Sequence, residues 1–257
     1  MKKIDFNDIH TQKKQEKLRE MMVKTVSQLV KLENPNPVLD SCPICLSGKI
    51  KFFVNAYQFD ISSCMDCGLL FCNPYPTQEQ IHGYYNSEMK SFENEFFRDS
   101  FENRINIFLP RIELVKKYKA HGKLLDVGSA IGIFIEALHR AKAPFDLACC
   151  DISEEACKEL GGRYPDLEVF HKDYLELDVE TQFDVITFWD TLEHIVDLKS
   201  LLQKTYHLLK DDGIFVFSTP NTDSFEWICA KEKHVQILPP GHVNLMNWKC
   251  IDILLKN

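Results

Sequence analysis

The stretch that most limits how this 257-residue chain can fold is "LLDVGSAIGIF", Leu124 to Phe134. Leu124, Leu125 and Val127 read as a buried strand that ends beside an acid, Asp126. The small residues 128–132 then turn the chain into an apolar helix containing Phe134, Ile135, Ala137 and Leu138. A strand feeding a helix through small residues is the unit of a parallel sheet, whose ligands bind outside the carboxyl ends of the strands. The pattern repeats. Strands are expected at Lys123–Val127, Asp146–Asp151, Leu167–His171, Asp184–Phe188 and Gly213–Ser218, with helical stretches between most of them. This alternation predicts an α/β fold, a Rossmann-like doubly wound parallel sheet covered on both faces.

Spacing narrows the ligand. A dinucleotide fingerprint needs GxGxxG, but here glycines stand at 128 and 132 with Ala130 where the second glycine would fall, so a pyrophosphate cradle is poorly supported. The loop also lacks the Lys-Ser/Thr ending of a P-loop. An isolated acid such as Asp126 or Asp173 is often only a helix cap; acids at consecutive strand ends point instead to a shared ligand.

Ten cysteines in a chain with no apparent secretory signal suggest metal ligands or buried thiols before disulfides. Cys42 and Cys45 form one CxxC, Cys64 and Cys67 another, with 18 residues between the pairs. Four thiolates at this spacing suit tetrahedral Zn²⁺, and the intervening residues are enough for a β-hairpin. A closed four-cysteine site has no open coordination position, so its expected task is to fold a module too small for a core of its own. Such a ribbon could read RNA or cover part of an active site; a redox pair explains the double motif less well. Cys72, Cys149, Cys150, Cys157, Cys229 and Cys250 show no such pairing, and Cys149 and Cys150 fall in an expected buried strand.

Residues 9–33 read as a helix with Leu18, Met21, Met22, Val26, Leu29 and Val30 as its apolar stripe, broken by Pro35 and Pro37. Residues 74–120 read as mostly helical, with Phe96, Phe97, Phe101, Ile105 and Phe108 as core candidates. The expected organisation is therefore an N-terminal helix and linker (1–40), a zinc ribbon (41–73), a helical linker or lid (74–120) and the α/β domain (121–257). No stretch approaches the roughly 20 apolar residues that span a bilayer, so no membrane partner is expected and the cytoplasm is the expected compartment. A net charge of -8 disfavours nucleic acid, and residues beyond 70 carry 20 basic against 30 acidic side chains. The sequence carries no signal of oligomeric state.

The order of motifs resembles the class I S-adenosylmethionine-dependent methyltransferases, whose first strand is followed by acid-x-Gly-x-Gly-x-Gly. Here that motif is Asp126, Gly128, Ala130 and Gly132, with alanine for one glycine. The exchange costs stability if the position needs a positive φ. S-adenosylmethionine has an amino-acid moiety and a sulfonium but no phosphate, so an acid is welcome at such a loop. The resemblance implies that the loop residues, Ser129 included, hold the cofactor. It further implies that Asp151 in "LACCDIS", followed by Ile152, binds the ribose hydroxyls, and that Asp173 with Tyr174 in "VFHKDYLEL" meets the adenine amino group. Trp189 and Asp190 in "FDVITFWDTLEHI" are the remaining cofactor contacts that it implies.

By the same resemblance His194 follows the fourth strand, where relatives often carry a histidine facing the acceptor. It reads either as a base near neutral pH or as a histidine satisfied by local hydrogen bonds. His242 in "LPPGHVNLMNW" is the second catalytic candidate, and Tyr84 and Tyr85 are either pocket walls or core aromatics. "CMDCGLLFCNPYPTQEQIHGYY" resembles the ribbon-to-linker segment of a bacterial subgroup that includes sugar C-methyltransferases. That implies a small-molecule acceptor such as a nucleotide-linked sugar. An RNA methyltransferase reading RNA with its ribbon, and an inactive zinc-binding relative, are the competing readings. The family's sheet closes with a hairpin of sixth and seventh strands. This chain stops at "NWKCIDILLKN", which looks like the preceding helix, so the hairpin is expected to be missing and the fifth strand to form an edge.

Overall fold

A computed structural model describes residues 12–31 and 38–256. The start of the expected 9–33 helix, its last residues and the Pro35–Pro37 break lie outside them. In chain order, helix α1 (Gln12–Leu29) precedes strands β1 (Ile50–Ala56), β2 (Phe59–Cys64) and β3 (Leu70–Cys72), then helices α2 (Gln78–Tyr85), α3 (Glu88–Asp99) and α4 (Phe101–Tyr118). Alternation follows: β4 (Gly122–Val127), α5 (Ile133–Arg140), β5 (Phe145–Asp151), α6 (Glu154–Arg163), β6 (Glu168–His171), β7 (Phe183–Trp189), α7 (Leu198–Leu208) and β8 (Leu209–Ser218). The last elements are α8 (Phe225–Ala230), β9 (Asn244–Leu245) and α9 (Trp248–Lys256), the last where "NWKCIDILLKN" reads as a helix.

Two compact units result, and they cut across the boundaries expected from chain order. One takes the described residues up to Leu18, Phe92–Trp189 and Gln203–Phe217; the other takes Arg19–Ser91, Asp190–Leu202 and the described residues from Ser218 on.

The first unit contains a five-stranded sheet in the order β6-β5-β4-β7-β8. The pairings of β4 with β5 and β7, and of β5 with β6, are parallel. This is the expected doubly wound order, and among the described residues the sheet ends at β8. The strand register puts Leu124, Leu147, Cys149 and Val185 on one face. Leu124 and Val185 pack there with Ile112 and Val115 of α4 and Phe134 and Leu138 of α5, and Cys149 packs with Ile135 and Leu160. The expected core residues Phe96 and Ile105 are buried as well. On the opposite face Phe188 meets the edge of Tyr174, whose hydroxyl bonds Thr205 of α7 at 2.9 Å.

The second unit contains an antiparallel sheet in the order β1-β2-β3-β9. Its hairpin turns through Tyr57 and Gln58, with φ of 49° and 65°, between the paired residues Ala56 and Phe59. Two left-handed residues make the type I′ turn that matches strand twist, although neither is the glycine or asparagine usually found there. The two cysteine knuckles repeat one backbone form: Leu46 N–H donates to the Cys42 carbonyl and Gly68 N–H to the Cys64 carbonyl, each at 2.9 Å. The residue after each second cysteine is left-handed, with φ of 59° at Leu46 and 84° at Gly68. From the α1 stripe, Met22, Val26 and Leu29 are buried.

Candidate functional site

In the first unit β4 runs into a loop in which alternate residues are left-handed: φ is 74° at Gly128, 45° at Ala130 and 77° at Gly132. These are the three positions of the Gly-x-Gly-x-Gly pattern, so the physical demand behind that pattern persists where alanine stands. Gly128 N–H donates to the Cys150 carbonyl and Gly132 N–H to the Ser129 carbonyl, both at 2.8 Å. Ala130 N–H donates to Asp151 Oδ2 at 2.8 Å. The other carboxylate oxygen, Oδ1, accepts Ser153 N–H at 2.8 Å. Asp151 thus crosslinks the loops after β4 and β5. Hydrogen bonds to an ionised acceptor are the strong kind, and this one opposes the cost of a left-handed alanine.

Asp126 is 2% exposed and lies beside Thr187 in the register, accepting its hydroxyl at 2.8 Å. Loss of water around this carboxyl pushes it up to about 7. The Ser129 hydroxyl donates to the Asp126 carbonyl at 2.8 Å, fixing the start of the loop. Ile152, next to Asp151, is 43% exposed and offers an apolar surface at the strand end.

The remaining residues implied as cofactor contacts are placed differently. Asp173 caps a short 3₁₀ turn, its Oδ1 accepting Leu175 N–H at 2.9 Å, which is the helix-cap reading. Tyr174 is 3% exposed. Its ring and hydroxyl are committed to Phe188 and Thr205, so a side-chain contact with a ligand is not what this burial supports. Trp189 packs edge-on against Phe108 and Phe134 with the Arg111 guanidinium 4.9 Å from its ring. Asp190 belongs to the second unit, where its Oδ1 accepts the Ser218 hydroxyl at 2.8 Å.

The second unit brings the two candidate catalytic histidines together. His194 ends a 3₁₀ turn, Leu192–His194, and its ring centroid lies 4.8 Å from that of His242. His194 Nδ1 is 2.7 Å from the Gly241 carbonyl and His242 Nδ1 is 2.8 Å from the Gln236 carbonyl. A carbonyl can only accept, so each Nδ1 carries a proton, and in a neutral His194 ring the lone pair is then on Nε2. Burial, with His242 and Lys90 nearby, holds His194 well below the ordinary imidazole range. Tyr85 meets His194 edge-on at 6.1 Å, whereas Tyr84 is buried against Gly241, where an added Cβ would lie 2.7 Å from its hydroxyl.

Two members of these sites escaped the sequence reading. Glu193 is 1% exposed, accepts the Thr219 hydroxyl at 3.0 Å and is pushed up to about 8 by burial. Ligand-capable atoms of Glu193, His194 and His242 lie within 4.8 Å of one another. Its signal was its place before His194 in "DTLEHI". Thr187 was legible as the one hydroxyl in the apolar strand "FDVITFW".

The four cysteines of the paired motifs also converge. Sγ atoms of Cys42 and Cys67 are 3.5 Å apart and those of Cys45 and Cys64 are 3.4 Å apart, with all four sulfurs within 4.8 Å of one another. A tetrahedron of about 2.3 Å Zn–S bonds has sulfur edges of about 3.8 Å, so the set fits zinc with small adjustments. Without a cation the neighbouring sulfur of Cys67 pushes the Cys42 thiol up, as burial does at Cys45.

A parallel sheet whose first strand ends in three alternating left-handed residues, tied to an acid at the next strand end, defines a class I methyltransferase fold. A methyltransferase-domain family matches residues 100–255, and the chain belongs to this family of S-adenosylmethionine-dependent methyltransferases. It is similar to a ubiquinone biosynthesis O-methyltransferase from Actinobacillus pleuropneumoniae, at 32% identity over 54% of this chain and 69% of that protein. A carboxy-S-adenosyl-L-methionine synthase from Nautilia profundicola is 29% identical over 50% of this chain and 62% of its own length. Among solved structures, an S-adenosylmethionine-dependent methyltransferase from Clostridium acetobutylicum matches at 21% identity and a TM-score of 0.39, over 46% of this chain and 50% of that one. The chain therefore spans between 50% and 69% of the length of these relatives. No described helix is long and apolar enough to cross a membrane.

Proposed function

We propose that the chain transfers the methyl group of S-adenosylmethionine to an oxygen of a small-molecule acceptor, with His194 taking the acceptor's proton. The observation that carries the donor half is the Ala130–Asp151 crosslink beneath three left-handed residues. When bound, the donor supplies an electrophilic methyl group on a sulfonium. Asp151, whose two carboxylate oxygens are held in place by the Ala130 and Ser153 N–H groups at the end of β5, would accept the ribose hydroxyls. Ile152 supplies an apolar surface for the adenine and Asp173 Oδ2 an acceptor for its amino group. The small residues Gly128, Ser129, Ala130 and Gly132 let the backbone approach the ligand, with Asp126 fixing the loop from below.

In-line displacement requires alignment of nucleophile and methyl carbon, and a hydroxyl must lose its proton as the new bond forms. A neutral His194 with its lone pair on Nε2 is in the protonation state that step needs. His242 stands beside it as the second candidate. The similarity to an O-methyltransferase from Actinobacillus pleuropneumoniae favours oxygen over carbon as the acceptor atom. Cys42, Cys45, Cys64 and Cys67 would hold a structural Zn²⁺, making residues 41–73 a zinc ribbon, 74–120 a linker and 121–257 the catalytic segment. None of the ten cysteines is paired in a disulfide, which suits the reducing cytoplasm.

The test is incubation with methyl-labelled S-adenosylmethionine and two acceptors, a catechol-type phenol and a nucleotide-linked sugar. Label on the phenol supports the proposal, and label only on the sugar moves the acceptor to the other class. Absence of any calorimetric signal with the donor alone sinks the reading.

A further inference from the structure

The chain from 241 to 250 touches both functional clusters of the second unit. At one end, β9 joins the cysteine module by pairing with β3, Phe71 opposite Asn244 and Leu70 opposite Leu245. Cys72 N–H adds a bond to the Val243 carbonyl at 2.9 Å. Three residues after β9 ends, α9 begins and reaches the second knuckle. The Cys250 thiol, 0% exposed, donates to the Cys67 carbonyl at 3.3 Å, and Lys249 Nζ donates to the Asp66 carbonyl at 2.5 Å. Asn247 packs so close under Gly68 that an added Cβ would lie 2.5 Å from its amide nitrogen. At the other end, Gly241 accepts from His194, and Val243 N–H donates to the Glu193 carbonyl at 2.8 Å. Asn244, 0% exposed, donates to the Ile195 carbonyl at 2.7 Å and accepts the Tyr75 hydroxyl at 2.8 Å.

We propose that the zinc ribbon and the Glu193–His194–His242 cluster are one linked element, joined through β9 and α9. Metal occupancy of the four cysteines then sets the geometry of the two histidines. Cys250 and Lys249 hold the knuckle that carries Cys64 and Cys67, and Asn244 is a positioning residue for the turn that carries His194. This inference rests on the reading of the four cysteines as a zinc site. Groups that orient metal ligands from outside the coordination sphere are part of a site's affinity, and linkage runs both ways: whatever binds one end of a two-state element stabilises the other.

The experiment uses the full chain purified with zinc, and measures metal content, zinc release to a colorimetric chelator and hydrogen exchange by mass spectrometry. Chelation is expected to raise exchange in 190–196 and 241–250 together with 42–72, while 122–151 of the other unit keeps its protection. Cys250→Ala should release zinc about 10-fold faster, the lower range for loss of a supporting group. Cys250→Ser, which keeps a hydroxyl donor for the Cys67 carbonyl, should restore most of the retention. Asn244→Ala should raise exchange at 190–196 with zinc still bound. Chelation that exposes 42–72 and leaves 190–196 and 241–250 unchanged overturns the coupling while the zinc site stands. Protein that carries no zinc at all overturns the zinc reading itself, and metal content separates the two failures.

Discussion

Exchanging the side chains at 130 and 132 tests whether the donor loop is governed by backbone conformation. Ala130→Gly removes a left-handed alanine, a relief of about 1–2 kcal/mol, and adds about 0.5–1 kcal/mol of unfolded-chain entropy. The net effect should be neutral to stabilising by about 1 kcal/mol, which moves the melting temperature up by at most about 4 °C. Gly132→Ala runs the other way. The alanine inherits a φ of 77°, and its Cβ would sit 2.2 Å from Leu160 Cδ2. Leu160 is 0% exposed and packed with Ile135, Cys149 and Leu167, so it has little room to give. Backbone strain of about 1–2 kcal/mol and overpacking of about 1–3 kcal/mol, less the entropy gain, leave Gly132→Ala destabilised by about 1.5–4 kcal/mol.

The assay is denaturant unfolding of each variant, paired with calorimetric titration of S-adenosylmethionine. Leu160→Ala alone should cost about 2–5 kcal/mol, but combined with Gly132→Ala it should cost less than the sum, because the truncation removes the clash. A destabilising Ala130→Gly, a neutral Gly132→Ala, or strict additivity of the pair at 132 and 160 would each refute the conformational argument.

Other expectations follow from the same geometry. Asp126 titrates higher folded than unfolded, so its contribution is complete below about pH 4 and is lost as pH rises towards about 7; Asp126→Asn should flatten that fall in unfolding free energy. His194→Gln should lower kcat by about 10²–10⁴-fold with donor affinity unchanged by calorimetry, and full turnover would remove it as the base. Cys64→Ser should abolish zinc retention and lower the unfolding temperature of the second unit, while unit one keeps its exchange protection. Glu193 likewise titrates higher folded than unfolded, so its contribution is complete below about pH 4 and is lost as pH rises to about 8; Glu193→Gln, which mimics the protonated acid, should remove that fall and be at least as stable as the parent at pH 7.

The fold was legible where burial imposes a pattern over several residues. Four strands of the parallel sheet start and end within one residue of expectation, because each is an apolar run closed by a polar or small residue. β8 starts at Leu209 rather than Gly213, since its first residues are "LKDD", which composition reads as a turn. β9 was illegible altogether. Two residues have no periodicity, and Asn244 meets Phe71 across more than half the chain. For the same reason Cys250 read as an unpaired thiol, when its partner is a carbonyl on a knuckle far away in sequence.

The two candidate sites divide along the same line. The donor site is local: Asp126, the turn to Gly132 and Asp151 lie within two consecutive strand ends, so motif spacing was enough to assemble it, Ala130 included. The histidine cluster draws on 84–85, 193–194, 219 and 241–242, and its chemistry is set by what those segments do to one another. Out of water, Glu193 titrates upward and His194 downward, so near pH 7 the acid is mostly protonated and the imidazole neutral. A sequence reading assigns the opposite charges, a carboxylate beside a half-protonated histidine. Environments that push two neighbouring groups apart in pKa separate a proton donor from a proton acceptor. Here the separation depends on keeping water from both groups, and therefore on the Gly241 carbonyl that holds the His194 ring and on the Val243 N–H that holds the Glu193 backbone.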